Sequence, residues 1–375
     1  MQSKMNCEIT KKLVEVGNAF QITAPLFNYE EIKNGNVNHT YKVNYVVDDG
    51  SGLAQIKSYL VQKINTVAFN NPEELMANIE KVTSYIITKY PNQVALHFHH
   101  TADNKNFLID GDSVWRMSNY IKSTTYDIGC NTSVVRKVGE AFGNFQMQLR
   151  DFNSTSLYYT IPDFHDTRKR YAAFKDSVEK DEAGRRHECQ KEIEWLLSVE
   201  DKACVLTDLL NEGKLPLRVT HNDTKTNNVL FDEKGKEPLV VIDLDTVMPG
   251  LVGHDFGDAV RFAANFVEED CPDTEKIGVD LNTFWAFAEG FISKTAKTLT
   301  ECEADTLALS SFALACELAT RFLADYLNGD KYFKVKKEKH NLIRARAQIA
   351  LAKDMLEKMD AMNAICRASY EKYRK

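Results

Sequence analysis

Apolar and polar positions change period about a third of the way along the chain. Up to about residue 120 the pattern alternates mostly in twos, as strands half-buried in a sheet do. Tyr41 to Val47 alternates cleanly, and Asp48-Asp49-Gly50-Ser51-Gly52 behind it is dense in turn formers. Tyr59 to Ile64 reads as a second strand, so the two predict a hairpin or meander. Asn71-Pro72-Glu73-Glu74 then predicts a helix start, because proline suits a first turn and acids there face the positive helix end. Leu75, Ile79, Val82 and Ile86 supply its apolar stripe. Val94 to His99 and Asn106 to Ile109 are expected strands, and Val114 to Ile121 a last strand running into a connector.

From about residue 134 the spacing becomes helical, with helices expected over Val134 to Leu149, Ala183 to Leu197 and Phe256 to Val267. Thr300, with Glu303 three residues on, predicts a capping box opening a long helix through Leu327, and Leu342 to Met362 reads as another helix. One stretch breaks this rhythm. Between Leu217 and Thr246, short β-runs at Asn228 to Phe231 and Leu239 to Ile242 flank the turn-like Asp232 to Lys236, which predicts a lone hairpin inside a helical region. The expected organisation is α+β: a β-rich N-terminal lobe over 1–120, a larger mainly helical lobe over 121–375, and a ligand cleft between them.

Composition narrows the class. The chain has 375 residues, 43% hydrophobic and 27% charged, enough apolar content for substantial cores. Its net charge of −7 argues against broad nucleic-acid binding. No uninterrupted apolar run approaches the roughly 18 residues of a spanning helix, and the start lacks a signal-peptide pattern. None of the eight cysteines falls in a C-x-x-C pair or at zinc-finger spacing, so reduced, packed thiols in a cytoplasmic protein with no membrane partner are expected. His97 and His99 share a strand face, but no carboxylate or cysteine cluster completes a metal site there.

The candidate chemistry surrounds the isolated hairpin. His221-Asn222-Asp223-Thr224-Lys225-Thr226-Asn227-Asn228 precedes its first strand in the pattern H-x-D-x-x-x-x-N, and Val241-Ile242-Asp243-Leu244-Asp245 ends its second. Phosphoryl transfer calls for these residue types: a carboxylate that orients the attacking hydroxyl and accepts its proton, and oxygen ligands for a magnesium ion bound chiefly by phosphates and water. A hairpin returns Asp243 beside the loop carrying Asp223 and Asn228, so the three can converge.

These segments, with Asp255-Phe256-Gly257-Asp258, resemble the aminoglycoside phosphotransferase and choline kinase superfamily, which shares the protein-kinase-like two-lobed fold. Within it the chain is most similar to the bacterial N-acetylhexosamine 1-kinases, through Thr220 to Asn228, Val241 to Gly250, Asp255 to Arg261, Ile161 to Thr167 and Thr320 to Phe333. The resemblance implies an ATP- and magnesium-dependent kinase that phosphorylates the anomeric hydroxyl of N-acetylglucosamine or N-acetylgalactosamine. An aminoglycoside, choline or other small alcohol as acceptor, or a pseudokinase without turnover, are the alternatives.

It also implies roles. Asp223 is the expected base, Lys225 a cation near the transferring phosphate, and Asn228 and Asp243 the magnesium ligands. His221 is expected to brace the loop, and Asp255 to cap backbone N–H groups or brace the catalytic loop rather than bind metal. Ile32 to Tyr41, with the single Gly35, stands where a phosphate-covering loop belongs, and Lys63 fits the lysine that contacts the α- and β-phosphates. Glu80 is its candidate acidic partner, with Glu73 and Glu74 also available. Asn119, Tyr120 and Ile121 would form the connector against adenine. Trp115, Arg116, His165, Asp166, Arg321 and Tyr332 are the candidate sugar-pocket residues.

Overall fold

A computed structural model describes residues 7–33, 38–48, 54–127 and 130–375. Gly35, the glycine of the expected phosphate-covering loop, lies outside the described residues. The chain divides into two compact units, Met1–Lys122 and Ser123–Lys375.

The first unit opens with a helix that the alternation did not predict, α1 (Cys7–Ala19). Five strands follow, β1 (Leu26–Ile32), β2 (His39–Asp48), β3 (Ala54–Ile64), β4 (Leu108–Asp110) and β5 (Ser113–Asn119), with α2 (Pro72–Lys89) between β3 and β4. They form one antiparallel sheet in the order β1-β2-β3-β5-β4. Leu13 and Val16 of α1, with Phe20 just after it, pack on Val43, Tyr45, Tyr59, Val61, Trp115 and Met117 of the sheet. Tyr45 also donates its hydroxyl to the Leu13 carbonyl at 3.0 Å. Gly17 permits that approach, since a Cβ there would lie 2.3 Å from the Tyr45 hydroxyl. Asn71 caps α2 by accepting the Glu74 N–H at 3.2 Å, and Leu75, Ile79, Val82 and Ile86 are buried as their spacing predicts.

Val94 to His99 is not a strand. Only Phe98 bridges to Ser118, because β4 takes the start of the same β5 edge and leaves room there for little more than the bonds of His97 and His99.

The second unit carries α3 (Thr132–Gln148), α4 (Thr167–Lys180), α5 (Gln190–Ser198), α6 (Glu200–Ala203) and α7 (Val205–Asn211). Two ribbons come next, β6 (Arg218–Thr220) paired with β9 (Met248–Gly250), and β7 (Val229–Phe231) paired with β8 (Pro238–Val241). The unit ends with α8 (Val252–Ala263), α9 (Leu281–Thr295), α10 (Glu301–Leu327), α11 (His340–Glu357) and α12 (Met359–Tyr373).

The helix expected from Ala183 starts only at Gln190, because α4 ends with Asp181 in the left-handed region and Gly184 turns the chain at φ +68°. The expected helix over Leu342 to Met362 is broken at Lys358, whose ammonium is held by Asp354 and the Val279 carbonyl, both at 2.8 Å. α10 is buried nearly all round, and its capping box forms in full: Glu303 N–H donates to Thr300 Oγ1 at 3.1 Å, and Thr300 N–H to Glu303 Oε2 at 2.7 Å. Among the described residues α10 is also the one helix long and apolar enough to cross a membrane, and 78% of its apolar window is buried inside the unit. α3 and α9 cross so closely that a Cβ on Gly290 would meet the Arg136 carbonyl oxygen at 2.0 Å. All eight cysteines are unpaired.

Candidate active site

The loop from His221 to Asn228 leaves β6 and enters β7. It turns sharply at Asn222, which holds φ 63° and donates its side-chain amide to the Thr246 carbonyl at 2.9 Å. Asp255, fully buried in the first turns of α8, holds this loop. Its Oδ2 accepts the His221 N–H at 3.0 Å and the Gln146 side-chain N–H at 2.6 Å, and its Oδ1 accepts the Asn222 N–H at 2.8 Å. Burial pushes this carboxyl up, and those three donors work against the shift. One turn later Asp258 accepts the Thr224 N–H at 2.9 Å and pairs with Arg261 at 2.8 Å. Burial raises Asp258, but Arg261 outweighs it and holds the carboxyl below the usual range. The bracing expected of Asp255 is thus observed, although α8 starts three residues before it.

On this support three sequence-selected side chains meet. Asp223 Oδ1 lies 2.7 Å from Lys225 Nζ, while Asn228 donates its amide to the Asp223 carbonyl at 2.8 Å and to Oδ2 at 3.2 Å. Burial draws the Lys225 ammonium down, but the Asp223 carboxylate prevails and leaves it above the ordinary lysine value. With its amide donating, Asn228 keeps Oδ1 as an acceptor. His221 ties the loop to the returning strand: Nε2 donates to the Ile242 carbonyl at 2.8 Å, and Nδ1 accepts the Asp223 N–H at 3.3 Å. Ile242 N–H in turn donates to the Asn228 carbonyl at 2.9 Å. Asp243, next in the chain, is therefore delivered beside Asn228, exposed and in the left-handed region at φ 61°. Among the described residues no group of three or more His, Cys, Asp and Glu forms a metal cage. An amide oxygen and one exposed carboxylate suit magnesium, which takes few protein ligands and completes its shell with phosphate and water.

A second cluster lies just before α4. His165 Nδ1 pairs with Glu317 Oε1 at 2.9 Å, and Thr167 donates to Glu317 Oε2 at 2.9 Å. Burial raises Glu317, yet His165 prevails and holds it below the usual carboxylate range. The His254 ring stands 4.8 Å from the His165 ring, and burial presses its pKa down to about 3. A cavity of about 330 Å³ opens here, lined by Phe164, His165, Asp166, Asn222, Gly250 and His254 among others. His165 Nε2 is buried beside it without a protein partner. Asp166 is committed to the start of α4, accepting the Lys169 N–H at 3.1 Å. The Arg321 guanidinium lies over the rings of both Phe164 (5.4 Å) and Phe333 (5.5 Å), and Tyr332 is 71% exposed on the loop after α10.

In the first unit the expectations fare differently. Trp115 is 4% exposed inside the sheet–α1 core, and Arg116, 2% exposed, donates to Gln62 at 2.9 Å. Neither presents a face to a sugar, which corrects their assignment to the pocket: their alternation marks the buried rows of a strand. Lys63 sits half-buried on β3 and makes no ion pair among the described residues, while Glu80 accepts from Asn106 at 3.1 Å and lies 3.5 Å from His100. The Asn119 and Tyr120 N–H groups are engaged by the carbonyls of His97 (3.1 Å) and Ser58 (3.4 Å), and Ile121 follows them at the end of the unit. His99 is packed against Tyr59 and bonded to Asn119 at 2.8 Å. Sequence reasoning missed Gln146 and Glu317. For Glu317 the signal was present, as an acid set inside the apolar run Phe312 to Leu318.

Comparison with known proteins fits this geometry. Residues 97–277 match the Phosphotransferase enzyme family. Similar solved structures include an aminoglycoside phosphotransferase from Alicyclobacillus acidocaldarius, 12% identical with a TM-score of 0.56 over 99% of this chain and 98% of that one. An ethanolamine kinase from Plasmodium vivax, 12% identical, has a TM-score of 0.58 over 93% and 90%. Spectinomycin phosphotransferase in complex with ADP and spectinomycin, 14% identical, has a TM-score of 0.53 over 98% and 99%. At such identities the likeness concerns the fold. The chain has the α+β, protein-kinase-like fold of these proteins, and its residues 97–277 carry the match to the Phosphotransferase enzyme family.

Proposed function

We propose that the protein is an ATP- and magnesium-dependent kinase that phosphorylates the anomeric hydroxyl of N-acetylglucosamine or N-acetylgalactosamine, giving the sugar 1-phosphate. The observation that carries the reading is the Asp223 carboxylate, fixed by Lys225 on one side and Asn228 on the other, with Asp243 returned beside Asn228. Asp223 orients the acceptor hydroxyl and takes its proton as the oxygen attacks the γ-phosphorus, and ADP leaves. Lys225 keeps the carboxylate aimed and faces the charge of the transferring group. Asn228 and Asp243 would hold magnesium, which would supply positive charge to offset the negative charge of the phosphates. Lys63 would meet the α- and β-phosphates, and the connector at Asn119, Tyr120 and Ile121 would border the base.

His165 and Arg321 would meet the acceptor, with Asp166 and Tyr332 at its margins. Arg321 makes no contact ion pair among the described residues, although its charge helps hold Glu317 low, and burial together with Arg321 draws the neighbouring Arg170 guanidinium down. Two adjacent guanidinium groups favour a neutral, oxygen-rich acceptor over a cationic amine.

The test is ATP- and magnesium-dependent ADP release with the purified protein across N-acetylhexosamines, simple sugars, aminoglycosides, choline and ethanolamine, followed by phosphorus NMR of the product. A sugar 1-phosphate signal is expected, and Asp223→Asn should lower kcat by about 10²- to 10⁴-fold. Turnover confined to amines would overturn the acceptor assignment. Near-normal turnover by Asp223→Asn would overturn the role of the base.

A further inference from the structure

Asp325 lies one turn beyond Arg321 on α10, near the end of that helix, and is buried. The chain leaves α10 through Gly329 at φ 89° and Asp330 at φ 60°, two left-handed residues that fold it back on the helix. Three successive backbone N–H groups then converge on the Asp325 carboxylate. Oδ1 accepts from Lys331 at 2.9 Å and Tyr332 at 2.8 Å, and Oδ2 accepts from Phe333 at 2.9 Å. The Asn341 side-chain amide completes the set at 2.8 Å on Oδ2 and reaches Asp330 Oδ1 at 2.8 Å. All four donors to Asp325 are neutral, and no basic side chain pairs with it among the described residues. Such a carboxylate fixes backbone without neutralising a neighbouring charge.

What it fixes is the wall of the Arg321 site. Phe333, the last residue of the pinned segment, packs 4.7 Å from Phe322 and 5.5 Å from the Arg321 guanidinium, which also lies 5.4 Å from the Phe164 ring. The two rings hold the guanidinium through cation–π contacts, and no hydrogen bond or ion pair to the described residues occupies its N–H groups. A planar cation held this way keeps its donor fork for a ligand oxygen.

We infer that Asp325 is a positioning residue for acceptor binding: it pins residues 331–333 so that Phe333 holds the Arg321 guanidinium in place with its N–H donors directed to acceptor oxygens. The inference rests on the reading of this site as an acceptor pocket, and it concerns binding rather than the phosphoryl transfer step.

The experiment measures steady-state kinetics of Asp325→Asn, Phe333→Leu and the double variant, with whichever acceptor the screen identifies and with ATP varied separately. In Asp325→Asn the amide donates where the carboxylate accepted, so at least one backbone bond is lost. KM for the acceptor should rise about tenfold, the equivalent of one such bond, while KM for ATP stays within about twofold. Phe333→Leu should raise the same KM, and the double variant should show less than the product of the two effects, because both act through Arg321. Equal rises in both KM values, a fall in kcat alone, or independent effects in the double variant would overturn the inference. If the screen finds an amine acceptor, the sugar assignment fails while Asp325 is still tested with that amine. If no acceptor supports turnover, both readings fall.

Discussion

Replacing Asp255 by alanine tests whether the loop geometry comes from α8. Asp255 is 0% exposed and accepts three hydrogen bonds, from His221 N–H, Asn222 N–H and the Gln146 amide. Truncation leaves the His221 and Asn222 N–H groups buried without a partner and the Gln146 amide with only the Val219 carbonyl, at about 1–3 kcal/mol per bond lost. The donors are neighbours and relax together, so the sum is less than additive, and about 3–5 kcal/mol of destabilisation is expected. His221 and Asn222 immediately precede Asp223, so releasing their backbone moves the carboxylate off its position, and an ångström-scale displacement lowers kcat by about 100-fold. Gln146→Leu removes one donor together with its need for a partner, so about 1 kcal/mol is expected there, with the loop retained. Urea unfolding followed by circular dichroism gives the stability change, and ADP release measured well below the melting temperature gives kcat. A destabilisation under about 1 kcal/mol with kcat within about threefold of wild type would refute the bracing role.

Three further outcomes follow from the packing. Gly290→Ala forces a methyl against the Arg136 carbonyl at the α3–α9 crossing, so the denaturation midpoint should fall by the equivalent of about 1–3 kcal/mol, and an unchanged midpoint would show that the helices slide freely. Thr300→Ala removes the hydroxyl that accepts the Glu303 N–H and should cost about 1 kcal/mol in the same assay. His254, held down to about pKa 3 by burial, stays unprotonated in the folded state while the unfolded chain takes up a proton below about pH 6.5. Stability from this group is therefore complete above pH 6.5 and is lost as pH falls towards 3. Between pH 6.5 and 4.5 the loss should reach about 2.3 kcal/mol, and His254→Asn should flatten that part of the unfolding curve.

The amino-acid sequence alone determined what depends on near neighbours. The hairpin bearing Asp223, Asn228 and Asp243 was legible because turn formers, short β-runs and the loop pattern sit within about two dozen residues. The capping box at Thr300 and the stripe of α2 were legible for the same reason. Helix α1 was not, because its apolar residues gain their meaning only when the sheet lies beneath them. Trp115 and Arg116 look like binding residues in the sequence, and only sheet pairing turns them inward. The support of the candidate site was decided entirely by tertiary structure. Gln146 reaches Asp255 across 109 positions, and His165 reaches Glu317 across 152. Hydrogen bonds and burial act over ångströms in space, and residue spacing tracks that distance only where the chain is locally helical or paired, so contacts between remote segments leave no periodic trace to read.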